Sequence, residues 1–452
     1  MSTVSQGAPA RHRLLGIGFG PSHLAMSALH ASGQWSGDGA GLHFLEARPS
    51  FAWHPDMLLP GARMQVSFLK DLVTPRLPTS PYSFTNYLVA HGRLEQFLNL
   101  STMNPTRAEF VDYFRWVARQ LSGYVGYASR VTAIRPVPGP DGGVTHLEVD
   151  YQDDAGRTHA LAADHVSVAP GGTPVVPAGV APEALGTGTV FHSSAFLTGL
   201  RRFERRGTAL PYRFLVVGAG QSAAEVFRHL AGQFPEAAVT LAHRGFALMP
   251  ADSSALANEI FNPESVDLFH GADADRRRRI MADLKTTNYA AVDEEDITGV
   301  AELLYEQQVH GGRRLALRRF TELAGCHADG EQAVTSLRDL LTGECRTERY
   351  DAVVLATGYD FREARGLLTE LEPYVRRDAD GQLCVGRDYA VTTAEGFAPK
   401  VFLHGAAEHT HGLTSTLLSL VARRAGDILD TVFGPAADDP AAPPTLLQGA
   451  PA

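Results

Sequence analysis

The chain has 452 residues, 44% of them apolar and 20% charged, a balance that makes a globular protein with room for two or three cores. Its formal charge of −10 excludes a general nucleic-acid or anionic-membrane surface, because both need a basic face that gains from counterion release. Three widely spaced cysteines, Cys326, Cys345 and Cys384, contain no Cys-x-x-Cys pair, so neither a disulfide framework nor a zinc site is predicted and a reducing cytoplasm fits. No uninterrupted apolar run is long enough to span a bilayer, and Met1 to Ala10 lacks the charged and apolar regions of a secretory signal. Residues 1–10 and the Ala-Pro-rich 434–452 are expected to be disordered tails.

The first predicted elements lie in Leu14-Leu15-Gly16-Ile17-Gly18-Phe19-Gly20-Pro21-Ser22, an apolar strand, a glycine turn and a helix start. Glycines let the backbone approach a pyrophosphate, and a helix N-terminus offers it free N–H groups and a positive dipole end. Gly16, Gly18, Gly20, Pro21 and Ser22 are therefore candidate dinucleotide contacts, in a variant with Pro21 at the third glycine place. Leu42 to Leu45 is predicted as the second strand, after a longer loop at Ser32 to Gly41. Glu46 stands at its end, where an acid accepts hydrogen bonds from a ribose.

From Phe51 to Thr74 the chain mixes aromatic, amide, hydroxyl and cationic side chains without helix or strand period, as a ligand-facing loop does. Trp53, His54, Met64, Gln65 and Lys70 are its candidate contacts, the lysine being suited to a substrate carboxylate. Ser67-x-x-Lys70 also fits penicillin-recognising enzymes, but no Lys-Thr-Gly or Ser-Asp-Asn follows. Thr106 before Glu109 reads as a helix cap, with Val111, Phe114, Val117, Ala118 and Leu121 on the buried face. Arg130 to Asp150 reads as a small antiparallel layer, leading to an apolar strand at His165 to Val168 and a turn at Gly171.

A second strand, turn and helix follow at Arg213 to Glu225, with Gly218 and Gly220 in the tight positions, Gln221 and Ser222 opening the helix and Ala223 in the third small position. The next strand, Ala238 to Ala242, ends in His243-Arg244 with no acid. An arginine there pairs with a 2′-phosphate, which favours NADPH over NADH. Gly220-Gln221-Ser222-Ala223-Ala224 nearly matches a nucleophile elbow, but Ala224 stands where that motif needs glycine, and a hydrolase leaves the first turn without a purpose.

The polar clusters Asn258 to Pro263 and Lys285 to Tyr289 interrupt helical stretches and offer amides to a polar substrate. Tyr350 to Tyr359 reads as a buried strand with a glycine turn, the counterpart of the turn at Gly171. The chain then rejoins the first domain through Val401 to Leu403 and a final helix beginning near His411. His404, His409 and His411 lack supporting carboxylate spacing, so no metal is expected. The fold class is α/β, with two Rossmann-like dinucleotide-binding domains and a small interleaved substrate region at about 252–310. Residues 11–175 and 350–433 form one domain in two parts, and 176–349 the other.

Taken in order, Gly16-x-Gly18-x-Gly20-Pro21-Ser22, Met64-Gln65-x-Ser67-Phe68-Leu69-Lys70-Asp71-Leu72, Pro105-Thr106-Arg107-x-Glu109-Phe110, Gly218-x-Gly220-Gln221-Ser222-Ala223, Asn258-Glu259-Ile260-Phe261-Asn262-Pro263, Thr287-Asn288-Tyr289, Ala356-Thr357-Gly358-Tyr359 and His411-Gly412-Leu413 form a set. It resembles the microbial ornithine and lysine N-hydroxylases, flavin-dependent monooxygenases of hydroxamate siderophore pathways. The likeness runs from Leu14 to Ala425 and departs at Thr414-Ser415, where many relatives carry Ser-Asp.

The resemblance implies FAD at the first turn, with Glu46, Trp53, His54, Met64, Gln65 and Ser419 beside Gly16, Gly18, Gly20, Pro21 and Ser22. It implies NADPH at the second, with Arg244, Asn288 and Tyr289 beside Gly218, Gly220, Gln221, Ser222 and Ala223. Lys70, Asn258, Asn288, Leu417 and Ser419 would hold a basic amino acid, and Asn288 and Gln65 would serve the reaction itself. The implied reaction takes L-ornithine to N5-hydroxyornithine with O₂ through a C4a-hydroperoxyflavin. Alternatives are an L-lysine or diamine hydroxylase, though Lys70 favours an amino acid over a diamine, and a carbon-hydroxylating or Baeyer–Villiger flavin monooxygenase. A disulfide reductase needs a redox cysteine pair that the chain lacks. The expected partners are the small substrate, O₂ and further copies of the chain in a dimer or tetramer.

Overall fold

The structure, a computed structural model, describes residues 10–35, 41–284 and 291–436. The expected tails at 1–9 and 437–452, and Asn288 and Tyr289 in the second polar cluster, lie outside the described residues.

In chain order the first unit contains β1 (Arg11–Ile17), α1 (Pro21–Ala31), β2 (Leu42–Leu45), α2 (Phe84–Ala90), α3 (Leu94–Asn99), α4 (Arg107–Gln120), β3 (Val125–Gly126), β4 (Arg130–Pro138), β5 (Val144–Gln152) and β6 (Thr158–Val168). Its sheet runs β3-β2-β1-β6-β5-β4. β3, β2, β1 and β6 are parallel, and β6, β5 and β4 are antiparallel. The expected antiparallel layer is therefore continuous with the parallel sheet, because β6 is 11 residues long and pairs with both β1 and β5. α1 begins with Pro21, whose missing N–H is no loss at a helix start. α4 begins as its spacing predicts: the Thr106 hydroxyl accepts from the Glu109 N–H at 3.2 Å, while Phe110, Val111, Phe114, Val117 and Ala118 are buried.

The second unit follows β7 (Thr173–Pro174). It holds β8 (Val190–His192), α5 (Phe196–Arg206), β9 (Arg213–Val217), α6 (Gln221–Gln233), β10 (Ala238–Ala242), β11 (Met249–Pro250), α7 (Pro263–Gly271), α8 (Ala274–Asp283), β12 (Ala291–Val292), α9 (Glu294–Val309), β13 (Leu315–Arg318), β14 (Thr321–Asp329), β15 (Gln332–Asp339), β16 (Cys345–Tyr350) and β17 (Ala352–Leu355). The parallel order is β13-β10-β9-β17-β8. Alternate residues cover the two faces: Phe214, Val216 and Val354 meet the helices, while Leu215, Val217, Val353 and Leu355 meet Leu323, Leu337 and Tyr350 of the β14–β16 sheet. Burial on both faces is why these strands read as continuous apolar runs.

One expected boundary shifts. β17 pairs with β9 and β8, so the chain leaves the second unit after Leu355 rather than at residue 350. An all-apolar strand satisfies either parallel sheet, and its own residues do not say which. The return runs through β18 (Tyr359–Asp360), antiparallel to β7, so the outgoing and returning chains cross side by side. β19 (Val401–Leu403) then adds to β6 as expected, followed by α10 (Glu408–His411) and α11 (Val421–Phe433). The final helix begins at Val421, not near His411. Gly412 has φ of +70°, and the Thr414 and Ser415 hydroxyls bond the His411 carbonyl and the Ala407 N–H, both at 2.9 Å, closing short turns instead.

Candidate active site between two glycine turns

At the first turn Gly18 has φ of +86°, and a Cβ there would lie 2.4 Å from the Ala169 carbonyl oxygen. A Cβ on Gly16 would lie 2.1 Å from the Phe44 ring, whereas Gly20 faces open space. No side chain caps α1, so its first N–H groups are free for an anion, and the cradle fits the diphosphate of FAD. Glu46 follows β2 as expected, its carboxylate accepting from the Phe19 N–H at 2.7 Å and the Arg48 N–H at 2.8 Å. The motif reading passed over His23. This fully buried ring donates from Nδ1 to the Gly18 carbonyl at 2.6 Å and accepts at Nε2 from Ser167 Oγ at 2.8 Å. Burial lowers its pKa to about 4, so it is neutral at neutral pH and holds the turn in one tautomer.

Trp53 packs edge-on against Phe114 at 5.4 Å, and His54 lies 5.6 Å from Tyr359 at the crossing between the units. Burial, with Arg107 and Arg48 adding to it, lowers the His54 pKa to about 4. Met64 is buried; Gln65 is exposed but donates to Asp293 Oδ1 at 3.0 Å. Beyond Lys70, the buried carboxylate of Asp71 accepts from the N–H groups of Val73, Thr74 and Phe84 at 3.0, 2.7 and 2.7 Å. These bonds shape the loop that presents the lysine. Burial pushes the Asp71 carboxyl up, and the three N–H bonds oppose it.

Lys70 Nζ stands 5.8 Å over the Phe261 ring. Phe261 and Asn258 share the short turn Ala257–Phe261, so Lys70 and Asn258 come to one side of the molecule. Asn258 donates to the Ser253 carbonyl at 3.1 Å, and its turn lies against Gly412–Ser415. Asn262 holds the cap position of α7 but makes no side-chain cap bond. The stretch with Leu417 and the buried Ser419 is held by Arg424, which donates to the carbonyls of Leu417 at 2.9 Å and of Thr414. Arg424 is 2% exposed and has no ion-pair partner among the described residues; burial pulls its pKa down to about 10. Nothing in its sequence context marks this buried cation, which only the fold brings behind the loop.

At the second turn Gly218 has φ of +153°, and its Cβ would meet the Ala356 carbonyl oxygen at 2.2 Å. Gly220 precedes α6, again without a side-chain cap, and Ser222 and the buried Ala223 lie in its first turn. Gln221 accepts from the Asp293 N–H at 2.8 Å and donates to Glu225 at 3.0 Å. Glu225 in turn holds Arg107 of α4 by two bonds of 2.7 and 2.8 Å. The chain Gln65–Asp293–Gln221 thus ties the loop beside the first turn to the second. Burial pushes the Asp293 carboxyl up, and Asp296 and Glu225 add to this. Arg244 is exposed just past β10. His404 lies beside His23, His409 bonds the Leu383 carbonyl and His411 stacks on Tyr389; among the described residues no metal-ligating group converges. None of the described helices is long and apolar enough to cross a membrane.

The model of the L-lysine 6-monooxygenase/L-ornithine 5-monooxygenase family matches residues 10–361. The chain is 44% identical over 402 residues to an L-ornithine N(5)-monooxygenase of Burkholderia cepacia, covering 88% of this chain and 89% of that one. The solved structure of an ornithine N-hydroxylase of Kutzneria sp. 744, titled with reduced FAD, NADP⁺ and L-ornithine, aligns with a TM-score of 0.86 at 35% identity over 93% of this chain and 99% of that one. The ornithine hydroxylase of Pseudomonas aeruginosa aligns with a TM-score of 0.84 at 36% identity over 94% and 99%. Two cradled glycine turns, each following a strand with parallel neighbours, joined by a bridged loop and matched along most of the chain, have one explanation: this chain belongs to the L-lysine 6-monooxygenase/L-ornithine 5-monooxygenase family.

Proposed function

We propose that the protein is an FAD- and NADPH-dependent monooxygenase that hydroxylates the terminal side-chain nitrogen of L-ornithine, giving N5-hydroxyornithine for hydroxamate siderophore or related natural-product assembly. The relatives named for ornithine support the substrate. The observation that carries the reading is the approach of Lys70 to the turn holding Asn258, next to the loop that Gln65 ties to the second glycine turn. In this reading the first unit takes FAD and the second NADPH.

Bound FAD, once reduced by NADPH, supplies an activated oxygen atom from O₂. The chain's own residues position the substrate and control its proton. Lys70 pairs with the α-carboxylate and Asn258 accepts the α-amino group, which leaves the side-chain nitrogen toward Leu417 and Ser419. Only a neutral amine has the lone pair to react. An alkylammonium of pKa about 10.4 is roughly 0.1% neutral near pH 7.4, a cost of about 4 kcal/mol. Arg424, buried behind the carbonyls of Thr414 and Leu417, disfavours a second cation there. That like-charge repulsion offsets part of the cost. Met64 and Leu417 keep water from the reacting face, and Gln65 orients the flavin-side loop.

The test is incubation of the flavin-loaded protein with NADPH and, separately, ornithine, lysine, putrescine and cadaverine, followed by assay for hydroxylamines. Ornithine is expected to give the highest yield. Faster turnover of lysine would reassign the chain length, and no hydroxylamine from any of the four would overturn the reading. The protein is further proposed to be cytoplasmic, which its three free cysteines support, and to form dimers or tetramers. Light scattering of the purified protein checks the assembly, and the exposed Leu69, Leu98, Leu100 and Met103 support it.

A further inference from the structure

Three parallel strands of the second unit end at one level: Val217, Ala242 and Arg318 are register partners across β9, β10 and β13. The segments that follow are laced together in the same order. The Gly218 N–H donates to the Ala242 carbonyl at 3.1 Å, the His243 N–H to Arg318 at 3.0 Å, the Phe320 N–H to Gly245 at 3.1 Å and the Thr321 N–H to His243 at 2.9 Å. Moving outward from the glycine turn by strand spacings of roughly 5 Å, a nucleotide crosses first the loop of Arg244 and then that of Arg319.

Three side chains of this edge, Phe246, Arg319 and Phe320, are placed in a way that packing does not require. Phe246 is 68% exposed, although a phenylalanine on a loop tip gains nothing from water. Arg319 places its guanidinium 5.2 Å over the Phe246 ring. Phe320, with φ of +50°, takes a left-handed conformation that a bulky residue rarely adopts. Its ring lies 6.1 Å from Phe246. Among the described residues neither Arg244 nor Arg319 has an ion-pair partner, in a chain whose acidic residues outnumber its basic ones, 50 to 40. Two cations without carboxylates beside an open aromatic face make a recognition surface for a purine nucleotide bearing an extra phosphate.

We infer that Phe246 is the platform on which the adenine of NADPH stacks and that Arg319 is a second cation, with Arg244, for its 2′-phosphate. This rests on the reading of the second glycine turn as the NADPH site. It adds the residues that grip the far end of the cofactor. Arg244 reaches the phosphate from the strand end. Arg319 reaches it from the neighbouring loop, held in place by its contact with Phe246.

The test uses flavin-loaded protein and two fragments, 2′,5′-ADP and 5′-AMP, titrated by calorimetry into the wild type and the variants Arg319→Ala, Phe246→Ala, Phe246→Trp and Arg244→Ala. Flavin absorbance and melting temperature verify that each variant is folded. Arg319→Ala is expected to weaken 2′,5′-ADP about tenfold or more and 5′-AMP less than threefold. Phe246→Ala is expected to weaken both fragments about fivefold or more, and Phe246→Trp to retain both. If Arg244→Ala weakens 2′,5′-ADP while Arg319→Ala and Phe246→Ala leave both fragments unchanged, the inference is overturned and the reading of the site stands. If all three leave 2′,5′-ADP unchanged, both fall.

Discussion

Gly18 and Gly218 both have positive φ, +86° and +153°, and a Cβ on either would strike a carbonyl of a neighbouring strand end, Ala169 at 2.4 Å or Ala356 at 2.2 Å. The surroundings of the two turns differ in charge and enclosure. The first has a carboxylate, Glu46, after its second strand, and Phe19 within it is 1% exposed under Phe44 and Phe51. The second has Arg244 at the equivalent place, and both Arg244 and Phe246 face solvent. One backbone device is therefore set in two electrostatic surroundings: an acid suits ribose hydroxyls and a cation suits a phosphate. An enclosed turn suits a ligand that stays bound, and an open edge suits one that exchanges.

The comparison breaks most sharply at the glycines. Gly18→Val is expected to abolish flavin retention, while Gly218→Val leaves a yellow protein that NADPH no longer reduces. Each adds strain of about 3 kcal/mol or more to its turn alone. Absorbance of the purified proteins and anaerobic reduction by NADPH check both, and a colourless Gly218→Val would show that the turns are not independent.

The bridge between them comes next. Glu225→Gln leaves the Arg107 guanidinium, 13% exposed, without its counter-charge at a cost of about 3 kcal/mol, read as a lower denaturant midpoint. Lys70→Ala touches neither turn and is expected to raise the KM for ornithine about 100-fold with NADPH oxidation largely intact. An unchanged KM removes the lysine from the substrate site. Arg244→Ala is expected to narrow the NADPH-over-NADH preference about tenfold, measured as the ratio of kcat/KM values.

The most gradual effect is one of pH. His23 has a pKa of about 4 when folded and about 6.5 when unfolded, so the unfolded chain binds more protons between those values. Its contribution is complete above about pH 6.5 and falls by about 1.4 kcal/mol per unit as the pH drops toward 4. The melting temperature of flavin-loaded protein should decline over that window, and less steeply in His23→Asn, which removes the titrating ring and keeps a donor for the Gly18 carbonyl.

What was legible in the sequence is what local spacing dictates. Glycines at a strand end, Thr106 three residues before Glu109 and the apolar face of α4 each carry their reason within a few residues. Lys70 and Asn258 were readable as an ordered set, yet the approach of Lys70 to the turn that holds Asn258 depends on the whole fold. The Gln65–Asp293–Gln221 bridge was not readable, since its members are scattered along the chain and an Asp before a helix reads only as a cap. Arg424 and His23 were missed for the opposite reason: polar residues on apolar helices look like solvated positions until the packing around them is known. The placement of β17 went astray because Ala352 to Leu355 is equally suited to either sheet.

The ribbon of β7 and β18 carries a consequence for how such a molecule is assembled. Pro174 and Tyr359 are register partners, with the Val175 N–H donating to the Gly358 carbonyl at 2.9 Å, so everything between them leaves and re-enters the first unit through a gap of about 5 Å. A segment with its two ends that close is a cassette. Joining residues 174 and 359 with a short glycine-serine linker is expected to leave β6 and β19 unstretched while uncovering Met57, Leu59 and Arg107, which pack against or pair with the segment.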